Sequence, residues 1–499
     1  MASQLLAKKP LTTIMAEAAD TGEHSLKRSL GPINLITLGI GAIIGTGIFT
    51  LTGVAAAEFA GPAVVLSFIV AGIGCVFAGL CYAEFATMIP IAGSAYTYGY
   101  ATLGEIIAWI IGWALVLEYA FGAATVAVGW SGYVSSILAF FGVKLPFNAT
   151  PAVSFSLFGL AINAKVDIFA LAAIIIVTAV LVIGVRETAN LNSTAVIIKV
   201  SVVLIFIGIA ANFAFANWSH MLANWHPFIP QNLGSFGQYG WSGIMRGATV
   251  VFFAYIGFDA VSTAAQESKN PQKDMPFGIL GSLIICTILY ILVSGLLTGV
   301  KNYSTLMSPA PVADGAAAIG VRWGIVVIDI GAIAGLASVM LVMLLGQSRV
   351  LYTMAHDGLL PKWVGKIHPR FRTPYLTSIA VGVLVAFLAA FFNLVFLGQL
   401  VSLGTLLAFT IVCLGVWIMR VKQPDVPRPF RTPFVPLVPI LGIIVCLALM
   451  ITGTTDAKIV FVIWLIVGLF IYFGYSRRHS TVQLEIARAS SGSARRPAP

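Results

Sequence analysis

Gly39-Ile40-Gly41-Ala42-Ile43-Ile44-Gly45-Thr46-Gly47-Ile48-Phe49 opens the first long apolar stretch of the chain. Glycines this dense weaken a helix. The stretch around them is nevertheless long and apolar enough to cross a bilayer, where backbone groups cannot be left unpaired. The combination predicts a span broken near its middle. Broken spans are how secondary carriers turn helix ends toward a small charged solute.

The rest of the composition makes a membrane setting nearly obligatory. Of 499 residues, 59% are hydrophobic and 9% charged, with a mean hydropathy of +0.98, whereas a soluble domain carries about 25% charge. Apolar windows of bilayer length fall near 33–57, 62–88, 105–138, 167–186, 191–213, 243–266, 276–299, 324–346, 375–394, 397–419, 436–453 and 459–476. Twelve transmembrane helices in an all-α integral membrane fold are expected. With a cytoplasmic N-terminus, the outer loops receive only Lys144, Lys165, Lys301, Arg322 and Lys458, and most other basic residues stay inside. That bias is the expected one, so both termini are predicted to be cytoplasmic and the location is the inner (cytoplasmic) membrane.

The net charge of +10 is therefore topological. Basic residues in 346–372 and after Arg477 suit anionic membrane lipid, and no folded basic domain supports nucleic-acid binding. Lys8, Lys9, Lys27 and Arg28 interrupt the N-terminal segment, so no cleavable signal is expected. Cys75, Cys81, Cys286, Cys413 and Cys446 fall in predicted spans without metal-ligand spacing and read as small buried hydrophobes. No cofactor or metal is called for.

A polar arm over residues 1–30 precedes the membrane domain at 31–476, and a basic tail at 477–499 ends in Ser-Ser-Gly-Ser-Ala-Arg-Arg-Pro-Ala-Pro, a composition expected to be disordered. A second weak point, Phe252-Phe253-Ala254-Tyr255-Ile256-Gly257-Phe258-Asp259, lies in the sixth span, five helices after the first. Inverted repeats put their broken helices at matching positions. Repeat one is expected over 31–213 and repeat two over 243–419, with peripheral helices over 436–476.

Several separated motifs carry a resemblance. The first-span run, Tyr82-Ala83-Glu84-Phe85-Ala86-Thr87-Met88-Ile89-Pro90 with Gly93-Ser94-Ala95-Tyr96, and Gly346-Gln347-Ser348-Arg349 through Asp357-Gly358-Leu359-Leu360-Pro361 resemble the amino acid-polyamine-organocation superfamily. Phe252 through Asp259, Asn270-Pro271-Gln272-Lys273-Asp274-Met275-Pro276 and Arg428-Pro429-Phe430-Arg431-Thr432-Pro433 resemble its cationic amino acid transporter family. The resemblance runs from about 28 to 476. It implies a leucine-transporter-like five-plus-five inverted repeat with discontinuous helices 1 and 6, working by alternating access.

The breaks themselves suggest a ligand. Gly45, Thr46 and Gly47 would offer free N–H groups at the start of a half-helix, which can hold a carboxylate. A break in the sixth span would expose carbonyls near Phe253, Ala254 and Ile256, beside Gly257, to an ammonium. Together they describe an amino acid. The resemblance implies the same roles, with the amine near the backbone of Ile43 and Phe253 and the Phe253 ring as a gate. Close helix packing is the alternative use of these glycines, and Phe252 and Phe258 are expected to pack in the core or face lipid.

Lys199 lies inside an apolar span, where an ammonium is expensive without polar partners. The resemblance sets it against the first and eighth helices, where sodium-dependent relatives hold a cation; an ammonium there argues against sodium coupling. Burial disfavours a charged amine, so Lys199 is either a proton carrier or a fixed cation tying helix five to carbonyls of helix one. Glu118, mid-span in helix three, is a second coupling candidate or a structural partner. Asp259 is expected to cap a half-helix, and Asp329 and Glu84 to serve as local partners.

Met343, by similarity in the eighth span, is a candidate pocket wall or a packing residue. Its thioether suits apolar side chains, and no acid adjoins it in sequence, so small or medium neutral amino acids are expected. The predicted function is a proton-coupled, sodium-independent amino acid permease of a single chain. An exchanger of cationic amino acids or polyamines is the alternative, and a membrane receptor for amino acids a further one. An enzyme is disfavoured: His24, His220, His226, His356, His368 and His479 are scattered, and neither zinc-protease, nucleophile-elbow nor P-loop motifs occur.

Overall fold

The computed structural model describes residues 5–9, 30–89, 94–143, 154–157, 160–163, 166–184, 188–369, 371 and 373–486. Lys27, Arg28, Pro90, Gly93 and the closing stretch 490–499 lie outside the described residues. Every expected apolar segment is helical. Among the described residues, eight helical stretches are long and apolar enough to cross a membrane by length and composition, and Pro32–Ile43, Ile168–Ile183, Tyr375–Phe391 and Leu437–Thr452 are shorter apolar helices.

Helix ends follow local chemistry. Pro32, whose missing N–H costs nothing in a first turn, starts the first span. The Asp167 carboxylate accepts from Ala170 N at 2.9 Å to begin the fourth, and Asn393 accepts from Phe396 N at 2.8 Å to begin the tenth. The eighth helix, Arg322–His356, outruns its apolar window, because Gln347 and Ser348 continue it while still buried. Short helices Ser94–Thr102, Trp218–Trp225 and Pro311–Ala318, and an antiparallel hairpin pairing Ser154–Leu157 with Leu160–Asn163, are too brief to register in a search for apolar windows.

In the packed bundle, the second span lies against the seventh, the third against the eighth and the fourth against the ninth. Each thus meets the span five later. The first span packs on the seventh and fifth, and the third also packs on the tenth. Cys75, Cys81, Cys286, Cys413 and Cys446 are buried free thiols.

One end of the bundle is stapled by charge. Glu84, buried at the end of the second span, takes two hydrogen bonds of 2.9 Å from Arg420 and one of 2.8 Å from Thr432 N, with Arg428 Nε 3.2 Å away. Arg428 also donates to the carbonyls of Gln423 and Val426, each at 2.7 Å, securing the turn after the tenth helix. The described ends of the chain dock nearby: Glu105 N donates to Ala7 O at 2.9 Å, Lys9 pairs with Asp357 at 3.0 Å, Thr481 N donates to Asp357 O at 3.1 Å, and Ser480 donates to the Glu105 carboxylate. The start of the tail is thus helical and packed, unlike the disorder expected from its composition.

Removing one partner of a buried ion pair leaves a charge uncompensated. Glu84→Ala should therefore destabilise the protein by about 3 kcal/mol or more, measured as reduced unfolding stability in detergent, while Arg431→Ala at the same turn should change it far less.

Candidate functional site

Both expected breaks are present. The first helix ends at Ile43; Ile44 turns extended (ψ 102°), and the chain resumes as a π-helical turn, Gly47–Leu51, preceded by Thr46. In the sixth span, Gly240–Val251 tightens into a 3₁₀ turn, Phe252–Tyr255; Ile256 is then extended (ψ 134°) and Gly257 takes φ +118°. That φ is one that side-chain-bearing residues rarely adopt.

The two breaks cross each other. A Cβ on Gly47 would lie 2.2 Å from Ala254 Cα, and one on Gly257 would lie 2.8 Å from the Ala42 carbonyl group. Each glycine lets the other span's backbone through. Gly45 differs, because a Cβ there would meet only Val339, at an ordinary 3.5 Å. Close packing therefore accounts for Gly47 and Gly257 but not for Gly45.

Side chains from two other spans claim the loosened carbonyls. Lys199, wholly buried, donates to Gly41 O at 2.5 Å and Ile44 O at 3.1 Å. Its stem lies against the eighth span, where a Cβ on Gly335 would be 3.1 Å from Lys199 Cβ. The Tyr290 hydroxyl, from the seventh span, reaches both breaks at once, 2.9 Å from Ile43 O and 2.8 Å from Ala254 O. The sequence reading missed Tyr290. A tyrosine mid-span must find a partner for its hydroxyl, and that requirement was the available signal.

The remaining candidates sort by what they touch. Phe253 O accepts from Ile256 N at 3.2 Å, and each such carbonyl keeps a second lone pair for an ammonium. Phe252 and Phe258 both pack on Phe409, at 5.7 and 4.9 Å between ring centres, so they are core residues. Phe253 is buried but meets no other ring among the described residues. Thr46 is buried with no hydrogen-bond partner for its hydroxyl, and it faces Gly129 of the third span. Met343 is buried beside Gly122, also of the third span.

A group of acceptors lies one helical turn further along from Gly122 and Met343. Glu118 Oε1 and Gln347 Oε1 are buried without hydrogen-bond partners, the Asp259 carboxylate lies at the backbone amides of Gly257, Asp259 and Ala260, and Glu118 and Asp259 are electrostatic neighbours. Asp259 occupies the N-cap position of Ala260–Thr263, yet its side chain makes no capping bond. The helix begun there is a single turn, and the carboxylate sits at the amides that open it. Asp329 accepts from Ser136 at 2.9 Å, the local pairing expected of it.

Comparison with known proteins supplies the wider setting. Residues 30–474 match the family described as amino acid permease. The chain is similar to the branched-chain amino acid permease BcaP of Bacillus subtilis (strain 168), 45% identical over 96% of this chain and 99% of the relative. It is also similar to the methylthioribose transporter of the same organism, 43% identical over 96% and 99% of the two chains. Cationic amino acid transporter 4, vacuolar, of Arabidopsis thaliana is 39% identical over 81% of this chain and 65% of its own length. These are permeases and transporters, not enzymes.

The unequal crowding of the glycines is testable. Gly47→Ala, which must push the breaks apart, should cost about 3 kcal/mol or more, and Gly45→Ala about 1 kcal/mol or less, read as unfolding stability in detergent. Tyr290→Phe, which strips one donor from two buried carbonyls, should cost about 1–3 kcal/mol in the same measurement.

Proposed function

Since the chain belongs to the amino acid permease family, we propose that this multi-pass membrane protein imports L-amino acids across the cytoplasmic membrane by alternating access. Transport is coupled to protons, independent of sodium, and selective for small or medium neutral side chains. The observation that carries the reading is the Lys199 ammonium bonded to Gly41 O and Ile44 O at the first break. Those oxygens are then committed to a fixed nitrogen rather than offered to a metal cation. The substrate carboxylate is held by the amides around Gly45, Thr46 and Gly47, where Thr46 keeps an unused hydroxyl, and the amine by the second lone pairs of the Ile43, Phe253 and Ala254 carbonyls, with Ile256 and Gly257 shaping the turn.

The neutral preference rests on Met343, buried against Gly122 and Val339's face of the eighth span, and on the name of the B. subtilis branched-chain permease. Pairing of the second, third and fourth spans with the seventh, eighth and ninth supports a five-plus-five repeat, and the distribution of lysine and arginine supports cytoplasmic termini. One proton moved through about 100 mV supplies roughly 2.3 kcal/mol, enough for about a fifty-fold gradient.

A second reading, carriage or exchange of cationic amino acids, is favoured by the buried Glu118 and Asp259 carboxylates, close to each other. Methylthioribose, the cargo named for another relative, lacks both the carboxylate and the ammonium that the breaks suit.

Proteoliposomes separate these readings. Leucine and alanine should accumulate in empty vesicles under an inward proton gradient and not under a sodium gradient alone, and arginine and methylthioribose should not compete. Lys199→Ala should lower gradient-driven accumulation about tenfold or more while substrate counterflow survives. Accumulation by Lys199→Ala that kept its full pH dependence would remove lysine as the proton carrier, and uptake only into preloaded vesicles would favour exchange.

A further inference from the structure

The third-span helix, Glu105–Phe140, holds four glycines in its interior. Two are dictated by neighbours, a Cβ coming within 2.6 Å of Thr46 at Gly129 and 2.6 Å of Pro309 O at Gly132, while at Gly112 it would meet the flexible end of Met354 at 2.9 Å. Gly122 is not. A Cβ there would have only two heavy atoms within 4 Å, Met343 Sδ at 3.6 Å and Val401 Cγ1 at 4.0 Å, although the residue is buried. Protein interiors are close-packed, and glycine weakens a helix relative to alanine. Nothing in the packing asks for this glycine, and the space beside it is at least that of a methyl group.

The location of that space gives it a use. Gly129, against Thr46 at the first break, lies two turns or about 10 Å along the helix from Gly122. On the eighth span, Val339 adjoins Gly45 and Met343 adjoins Gly122; four residues apart, they share one face. A path bounded by Val339 and Met343 thus runs from the amides of the break to the space at Gly122. Val401 of the tenth span forms its far wall. All three bounding side chains are apolar.

We propose that Gly122 determines how large a substrate side chain the carrier accepts, the space beside it receiving the tip of a branched aliphatic chain. This rests on the reading of the protein as a neutral amino acid carrier. Glycine at this position admits valine, leucine and isoleucine; a methyl group there confines the site to alanine-sized substrates.

Counterflow of alanine and of leucine in proteoliposomes tests it. Gly122→Ala and Gly122→Ser should each lower leucine relative to alanine by about tenfold or more, the discrimination one added carbon confers in an apolar pocket. Combining Gly122→Ala with Met343→Ala should restore the wild-type ratio by returning the volume. Equal losses for both substrates, or an unchanged ratio in both single variants, would overturn the proposal and leave Gly122 a packing residue. A wild-type protein that carries neither amino acid would instead overturn the neutral-carrier reading beneath it.

Discussion

Backbone carbonyls freed where two helices break inside an apolar bundle have to be bonded by something, because each one left unpaired in such surroundings costs several kcal/mol. That requirement organises the centre of this protein. Lys199 answers for Gly41 and Ile44, and the single Tyr290 hydroxyl proton is shared between Ile43 and Ala254. The fifth span is thereby held to the first, and the seventh to both breaks. The N–H side of the first break is treated differently. Side chains have taken the carbonyls, whereas the amides opening the second half-helix lie beside a Thr46 hydroxyl with no partner. The fixed donors are in place, and capacity for an anion remains.

Glycine enters this arrangement in two senses. Gly47 and Gly257 let two chains cross at distances no Cβ would permit, so they are consequences of the crossing. Gly45 has room around it and is spared that duty. Substituting at the crowded pair disturbs the scaffold, while substituting at the uncrowded position leaves it in place. Spacing along the chain cannot separate the two classes, because both stand within Gly45-Thr46-Gly47.

The legible part of the sequence was the part governed by local composition. Apolar windows located the spans, glycine density located the first break, and Phe252 to Asp259 located the second. A lysine in an apolar run had to face polar atoms, and its partners proved to be carbonyls of the first span. What escaped depends on neighbours distant in sequence. Tyr290 differs from any interior tyrosine only in having two broken spans within reach of its hydroxyl. Phe252 and Phe258 turn toward Phe409 while Phe253, between them in the chain, does not, a division set by the 3₁₀ turn and the extended residue after it. Asp259 holds the cap position of a helix of a single turn and lies at the amides around it. The tail's first turns, polar by composition, are ordered by Glu105 and Asp357.

The Lys199 geometry also bears on how a proton could leave without dismantling the break. An ammonium has three N–H donors, and two of them hold Gly41 O and Ile44 O. A neutral amine still has two. Both bonds can therefore persist in either protonation state, and the third proton is the one free to move. A metal ion in the same position would have no such second state: once it departed, both carbonyls would lose their partner together and the break would have to rearrange or admit water. A lysine would instead keep the end of the first half-helix bonded to the fifth span in either protonation state. Glu118 Oε1 and Gln347 Oε1, buried acceptors without donors on the far side of Met343, are the complementary element.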